Sequence, residues 1–304
     1  MKIAAFPKCY LEDITEGRMS LFEWIDMAKA LEAEGLELYE GFLESHDETY
    51  LGEVAAAVAE AGFAMPMLCC SPDFTQSDPE ARRTAVEREI AMIRAARILG
   101  GPGVVCRVLT GQRYPELELE QGLDWVEAAL REVAVAAKDH EVVLGLENHY
   151  KDGYWRYPEF AQKQEVFLRV LDRIPPGEPI GVQYDPSNAI VAGDDPIELL
   201  RAVAHRVVSM HASDRYLVGN TTLEDLRSSD GTLGYSPDLR HGVTGRGLND
   251  YPTIFEILAG VGYQGWVSIE DGMNGMGEMQ ESLSFLHQMR SRYFGAPGQH
   301  GAGS

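Results

Sequence analysis

Residues 180–214 read IGVQYDPSNAIVAGDDPIELLRAVAHRVVSMHASD. The stretch opens on a mostly apolar run, 180–184, and passes through Asp185-Pro186. It restarts at Asp195-Pro196 with Glu198 in the first turn, the arrangement of a capped helix start. A segment with helical apolar spacing follows, then a second apolar run at 207–211. Strand, helix and strand joined by a right-handed crossover place the two strands in one parallel sheet.

Outward from this unit, the alternation repeats along the chain. Strand candidates fall at 3–6, 36–39, 64–70, 104–109, 142–147, 180–184, 207–211 and 266–270. The first helix opens at Ser20 with Glu23 three residues on, a capping box, and is expected to bury Phe22, Ile25, Ala28 and Leu31. Gly35, Gly62, Gly100 and Gly262 fall where left-handed caps would end helices. Eight repeats predict a single α/β domain, a closed (β/α)8 TIM barrel over residues 1–294. An open doubly wound sheet would need a glycine-rich fingerprint after the first strand, and residues 7–19 hold none. Residues 214–249, rich in Gly, Ser, Asp and Thr, read as an insertion between strand seven and the next helix, a lid or binding loop. Residues 295–304 read as a flexible tail.

Composition narrows the partners. The 304 residues carry 48 acidic against 26 basic side chains, a net charge of −22. Such a surface repels phosphate backbones and anionic lipid, and the densest basic spot is only Arg82-Arg83. Neither nucleic acid nor membrane is an expected partner. Charges interrupt every apolar run before the roughly 18–20 residues a membrane span needs. The stretch ending at Pro7 is too short for a signal-peptide core, so a cytoplasmic location is expected. Cys9, Cys69, Cys70 and Cys106 show no CxxC spacing and read as reduced thiols.

In barrels the chemistry sits at the C-terminal strand ends. Strand five ends VLGLENHY, offering Glu147 and His149. Strand six ends GVQYDPSN, offering Asp185 and Asn188. Strand seven ends VVSMHASD, offering His211 and Asp214, and strand eight ends WVSIEDG, offering Glu270 and Asp271. Any one such acid is more often a helix cap or a solvated group. Three carboxylates converging in one mouth, however, repel one another unless a cation sits between them. With one imidazole they make an oxygen-rich set that suits one divalent metal ion. Mn²⁺ comes first, then Mg²⁺ or Co²⁺, with Zn²⁺ also compatible.

This Glu–Asp–His–Glu set, in the contexts LEN, YDPSN, MHASD and SIED, resembles the sugar phosphate isomerase/epimerase group of the xylose isomerase-like barrels, across residues 1–290. The resemblance implies that Glu147, Asp185, His211 and Glu270 bind one catalytic metal. It also implies that Glu147 and Glu270 exchange a proton on opposite faces of a carbon next to a carbonyl. Three positions depart from the pattern. Asn188 stands where many relatives have His, Gly153 where many have Glu, and His149 replaces a smaller polar residue. His149 shares the strand face of Glu147 and is a candidate general base.

Further candidates for substrate binding are Glu40 and Arg107, ending strands two and four, and Asn188. His241 and Arg246 could reach in from the insertion. Trp155, between Tyr154 and Tyr157, could give a stacking wall for a sugar ring or an aromatic aglycone. No Lys or Arg adjoins Asn274–Gly277, which argues against a phosphorylated substrate.

The expected function is a metal-dependent isomerase or epimerase of a free sugar or keto-sugar. The alternative is a lyase using the same proton abstraction, either an inosose-type dehydratase or a 3-keto-glycoside or C-glycoside deglycosidase. A homo-oligomer is expected, or a complex with a small partner subunit if the protein is a deglycosidase. A DNA-repair endonuclease needs extra histidines where this chain has Cys69-Cys70, Arg107 and Asn188. An inert scaffold would have no need of four converging ligands.

Overall fold

The computed structural model describes residues 1–225, 237–270 and 272–295. Asp271, part of the expected insertion (226–236) and the expected tail from 296 onward lie outside the described residues. The strands are β1 (Lys2–Ala5), β2 (Gly35–Leu36), β3 (Leu38–Tyr39), β4 (Met67–Cys69), β5 (Val105–Val108), β6 (Val143–Glu147), β7 (Ile180–Tyr184), β8 (Val207–Ala212), β9 (Arg215–Leu217), β10 (Leu239–His241) and β11 (Trp266–Ile269). Nine of them form one sheet in the order β2-β1-β11-β8-β7-β6-β5-β4-β3, with every pairing parallel. β2 and β3 are two halves of one stave, parted at Glu37. The sheet therefore begins and ends on the same stretch of chain, and the eight-stave barrel closes.

The helices are α1 (Leu11–Thr15), α2 (Leu21–Ala28), α3 (Glu48–Glu60), α4 (Pro79–Gly100), α5 (Leu119–Asp139), α6 (Gln164–Asp172), α7 (Pro186–Ala192), α8 (Pro196–Val203), α9 (Tyr251–Gly260) and α10 (Met276–Tyr293). At the start of α2 the capping box is complete. Ser20 Oγ accepts from the Glu23 backbone N–H at 3.2 Å, and the Glu23 carboxylate accepts from the Ser20 N–H at 2.7 Å. This helix buries Leu21, Trp24, Ile25 and Ala28, whereas Phe22 is 39% exposed. The core stripe runs at i, i+3, i+4 and i+7 from Leu21, which puts Phe22 one position off it. At α8, Asp195 accepts from the N–H groups of Ile197 and Glu198.

Two of the four expected glycine caps take another role. Gly62 and Gly262 do adopt positive φ, +88° and +73°. Gly100 is still helical and leaves the left-handed position to Gly101 (φ +78°). Gly35 lies inside β2, where a Cβ would stand 2.9 Å from the Trp266 ring, so close packing rather than a turn requires glycine there.

Parallel barrel strands are buried on both faces, and β7 is buried at all five positions. Their outer faces and the helices share one apolar cluster that includes Trp24, Phe167, Tyr184 and Phe255. Inside, Met67, Cys69 and Val105 form a small apolar plug, packed against Val143 and Val208. Toward the C-terminal strand ends the interior turns polar, with Glu37, Arg107, Glu147, Gln183 and His211 all buried.

The insertion begins and ends as an antiparallel hairpin of β9 and β10, with Arg215 opposite His241. Its root is tied to Asp214, whose carboxylate accepts from the backbone N–H groups of Arg215, Gly245, Gly247 and Asn249 at 2.8–3.2 Å. Burial pushes the Asp214 carboxyl up, and these four donors pull it back. Asp214→Ala would strand the donors in the interior. We predict a loss of about 3 kcal/mol in global stability, read from urea melts. A change below about 0.5 kcal/mol, the size expected of a neutral surface substitution, would remove this anchoring role. Among the described residues, no helix is long and apolar enough to cross a membrane. All four cysteines are free thiols.

Candidate active site

A cavity of about 610 Å³ opens at the C-terminal end of the barrel, with Lys8, Arg107, His149, Asp185, Arg215 and Glu270 among its walls. Asn188 and His241 also line it. Glu147 and His211, each 1% exposed, contact these lining residues. The strand ends thus bring together Glu147, Asp185, His211 and Glu270. Ligand atoms of Glu147, Asp185 and His211 all lie within 4.8 Å of one another. Glu270 approaches through His211, whose Nδ1 stands 3.4 Å from Glu147 Oε1 and 3.5 Å from Glu270 Oε2.

Each glutamate has its own cation. Arg107 Nη1 donates to Glu147 Oε2 at 2.9 Å, and Asn188 Nδ2 donates to the other oxygen at 3.1 Å. Lys8 Nζ donates to Glu270 Oε1 at 2.8 Å. Burial raises the Glu147 carboxyl, but His149 and Arg107 more than offset it and hold it at about 2. Glu270 follows the same logic: burial raises it, while Lys8 and His211 bring it well below the usual range. Asp185 has no such partner. Its Oδ1 accepts from the Asn188 N–H (3.0 Å) and from Ser213 Oγ (2.7 Å). Burial, then the charges of Glu270 and Glu147, push it up to about 6. A carboxyl pushed up by burial and by two neighbouring carboxylates marks a place where one more positive charge would be stabilising.

The fourth group is oriented for such a charge. His211 Nε2 lies 2.5 Å from Glu37 Oε1, which also accepts from Cys69 Sγ at 2.9 Å. Glu37 holds one ring nitrogen, leaving Nδ1 toward Glu147 and Glu270. A carboxylate behind a ligating histidine is the usual outer support of a metal site. Glu147, Asp185 and His211 therefore fit a divalent ion by donor type, spacing and charge, and Glu270 adds a fourth oxygen donor beside His211.

His149 enters from the β6 side. Its Nδ1 is 3.6 Å from Glu159 Oε2 and its ring stacks on Tyr150. Glu159 is fully buried and fixed through its other oxygen by Thr110 N–H and Oγ1, both at 2.7 Å. Burial opposes a charge on His149, but Glu147 and Glu159 outweigh it and raise the imidazole above its ordinary value. His241 behaves oppositely, since burial and the nearby Arg215 lower it to about 3.

Three expected substrate contacts lie elsewhere. Glu40 faces a separate cavity, where Arg88 pairs with it at 2.8 Å, because the second stave ends in a 3-10 turn that swings it outward. Arg246 is largely exposed and pairs with Glu281 on α10. Trp155 does not line the cavity, whereas Tyr154 of the same loop does. Arg107 is present at the site, but as the partner of Glu147.

Sequence reasoning missed Glu37, Glu159, Lys8 and Arg215. Arg215 is 4% exposed, with its guanidinium 5.5 Å from the Tyr150 ring centroid.

The sequence model of the xylose isomerase-like TIM barrel family matches residues 25–289. The chain is 28% identical over 153 residues to the rhizopine catabolism protein MocC of Rhizobium meliloti, covering 49% of this chain and 43% of that protein. It is 29% identical over 90 residues to the inosose dehydratase of Clostridium botulinum, covering 29% of this chain and 28% of that one. The matches thus span less than half the length of either relative. The solved structure of D-psicose 3-epimerase from Clostridium cellulolyticum superposes with a TM-score of 0.73 at 15% identity, covering 95% of this chain and 99% of that one. At that identity the likeness speaks for the fold alone.

Proposed function

This chain belongs to the xylose isomerase-like TIM barrel family, and we propose that it is a divalent-metal-dependent isomerase or epimerase of a free sugar or keto-sugar, working by proton abstraction next to a carbonyl. One observation carries this reading. Glu147 and Glu270 flank His211 Nδ1 at 3.4 and 3.5 Å, each kept a carboxylate by its own cation. Glu147, Asp185, His211 and Glu270 would hold the ion, with Mn²⁺ the first candidate. When bound, it supplies the Lewis acidity that polarises a carbonyl and stabilises the charge left as the neighbouring C–H is lost.

The protein's own groups do the rest. One glutamate takes the proton, and the other returns one to the opposite face of the same carbon. Arg107 and Asn188 grip the two oxygens of Glu147, and Lys8 grips Glu270, so neither carboxylate needs to reorganise during transfer. The cavity falls within the roughly 300–1,000 Å³ of ordinary small-molecule sites. Its polar walls, Arg215 and His241 included, can donate to sugar hydroxyls. A homo-oligomer acting in the cytoplasm on small carbohydrates is the matching setting.

A lyase is the second reading, favoured by His149 and Glu159. If the carbon β to the carbonyl carries a hydroxyl or an aglycone, loss of the α-proton forms a C=C bond as that group departs. His149, backed by a buried carboxylate, would give the leaving oxygen its proton. The sequence match to an inosose dehydratase supports this outcome, and a deglycosidase of this kind would act with a small partner subunit.

Proton NMR in D₂O tests both, using Mn²⁺-loaded protein with ketohexoses, inososes and 3-keto-glucosides. Deuterium entering a carbon next to the carbonyl, with the skeleton intact, is the expected result. Release of water or aglycone moves the protein to the lyase class, and His149→Ala should then abolish turnover, whereas an epimerase would keep most of it. No exchange and no release across the panel, with metal bound, would overturn both readings.

A further inference from the structure

We propose that Cys70, Cys106 and Glu89 form a second metal site, for a thiophilic divalent ion such as Zn²⁺, on the outer side of the barrel wall. Cys70 follows β4, Cys106 lies in β5, and Glu89 projects from α4. All three are 0–1% exposed. Cys70 Sγ is 3.8 Å from Cys106 Sγ, and Cys106 Sγ is 3.5 Å from Glu89 Oε1. The three donor atoms lie within 4.8 Å of one another. Around a tetrahedral Zn²⁺, with Zn–S near 2.3 Å and Zn–O near 2.1 Å, the sulfur–sulfur edge is about 3.8 Å and the sulfur–oxygen edge about 3.6 Å. Both measured edges match.

Packing alone gives no reason for an acid here. Glu89 sits in the middle of α4, and among the described residues the hydrogen bond to its carboxyl comes from the Cys106 thiol. Its neighbour Arg88 is committed to Glu40. An uncompensated buried carboxyl is costly, and two thiolates with a carboxylate around a divalent ion would satisfy all three groups. Access also exists. Glu89 lines a cavity of about 430 Å³ between α4 and the loop that carries Ser71 and Asp73, so one of the three donors is reached from outside. Cys69 cannot take part, because successive strand residues face opposite ways and its thiol bonds Glu37 inside the barrel.

Cobalt substitution of the reduced, metal-stripped full chain tests this site. The barrel-mouth ligands are oxygen and nitrogen, so near-ultraviolet thiolate-to-cobalt charge transfer reports the second site alone. The band is expected in the wild type and in Cys69→Ser, with two metal equivalents per chain by mass spectrometry of bound metal. In Cys106→Ser the band should vanish and one equivalent remain. Glu89→Gln, which hardly changes volume, covers the case in which the serine variant does not fold. It should weaken Co²⁺ binding by at least the ~10-fold that losing even an outer-shell partner costs. A wild type without the band, a band lost in Cys69→Ser but kept in Cys106→Ser, or unchanged affinity in Glu89→Gln would overturn the proposal. The band and its loss in Cys106→Ser test this site alone, whereas a band accompanied by a single equivalent in the wild type would count against the barrel-mouth site instead.

Discussion

Glu147→Gln should lower turnover by ~10³-fold or more, within the range that general acid–base groups contribute. The reason goes beyond the lost charge. Both oxygens of Glu147 accept, one from Arg107 and one from Asn188. An amide must turn its own NH₂ toward one of these donors, so one hydrogen bond becomes a clash of donors and the side chain leaves its position. Arg107 also loses its counter-charge in a buried setting. The measurement is steady-state kinetics on whichever carbohydrate the NMR panel identifies, with metal content assayed in parallel. Turnover within tenfold of wild type would remove Glu147 from the proton path. Lost metal with lost turnover would assign it to ion binding instead.

His211→Ala is expected to have the second largest effect, read as metal content. The substitution removes one ligand and strands Glu37, which is fully buried and would keep only the Cys69 thiol as a partner on Oε1. The protein as purified should lose most of its barrel-mouth metal, and its melting temperature should fall as well. Glu37→Gln separates the two causes. It preserves volume and removes only the anchor behind His211, so metal affinity should fall by about 10–100-fold with the fold intact. Titration calorimetry with Mn²⁺ checks both. Unchanged metal stoichiometry in His211→Ala would sink the ligand assignment, and unchanged affinity in Glu37→Gln would reduce Glu37 to a packing residue.

The barrel was legible because its strands and helices carry local signals. The runs at 142–146 and 180–182 carry no polar side chain, as strands of a sheet buried on both faces do, and the caps at Ser20 and Asp195 are short-range chemistry. The strand ends were legible for the same reason, since Glu147, Asp185, His211 and Glu270 each close an apolar run. Glu37 was not. In GLELYE it alternates with Leu36 and Leu38, the pattern of a half-exposed strand, and alternation hides an inward acid when the other face is also covered. A charged residue within a stave of a parallel barrel is itself a site signal, and that signal was available. Glu159 had none by spacing, because it reaches His149 only through the path of a long loop that pairs with Gln112. Lys8 starts the 3-10 turn after β1 and Arg215 opens β9, both at the rim, where partner choice is set by closure of the barrel. Glu40 and Arg246 erred the other way, since a strand-end or loop position does not fix the direction of a long side chain.

The Asp214 knot has a wider consequence. Chain leaving β8 and chain returning toward α9 are fastened at one carboxylate, while the ladder between β8 and β11 runs from Ser209 to Ala212 without involving the hairpin. The excursion can therefore lengthen, shorten or be exchanged with no disturbance to the barrel's closure. Yet its two root residues, Arg215 and His241, stand in the cavity wall. If the proposed function holds, substrate range and proton chemistry are carried by different segments of the chain, and the first can drift by loop exchange while the second stays fixed in the staves.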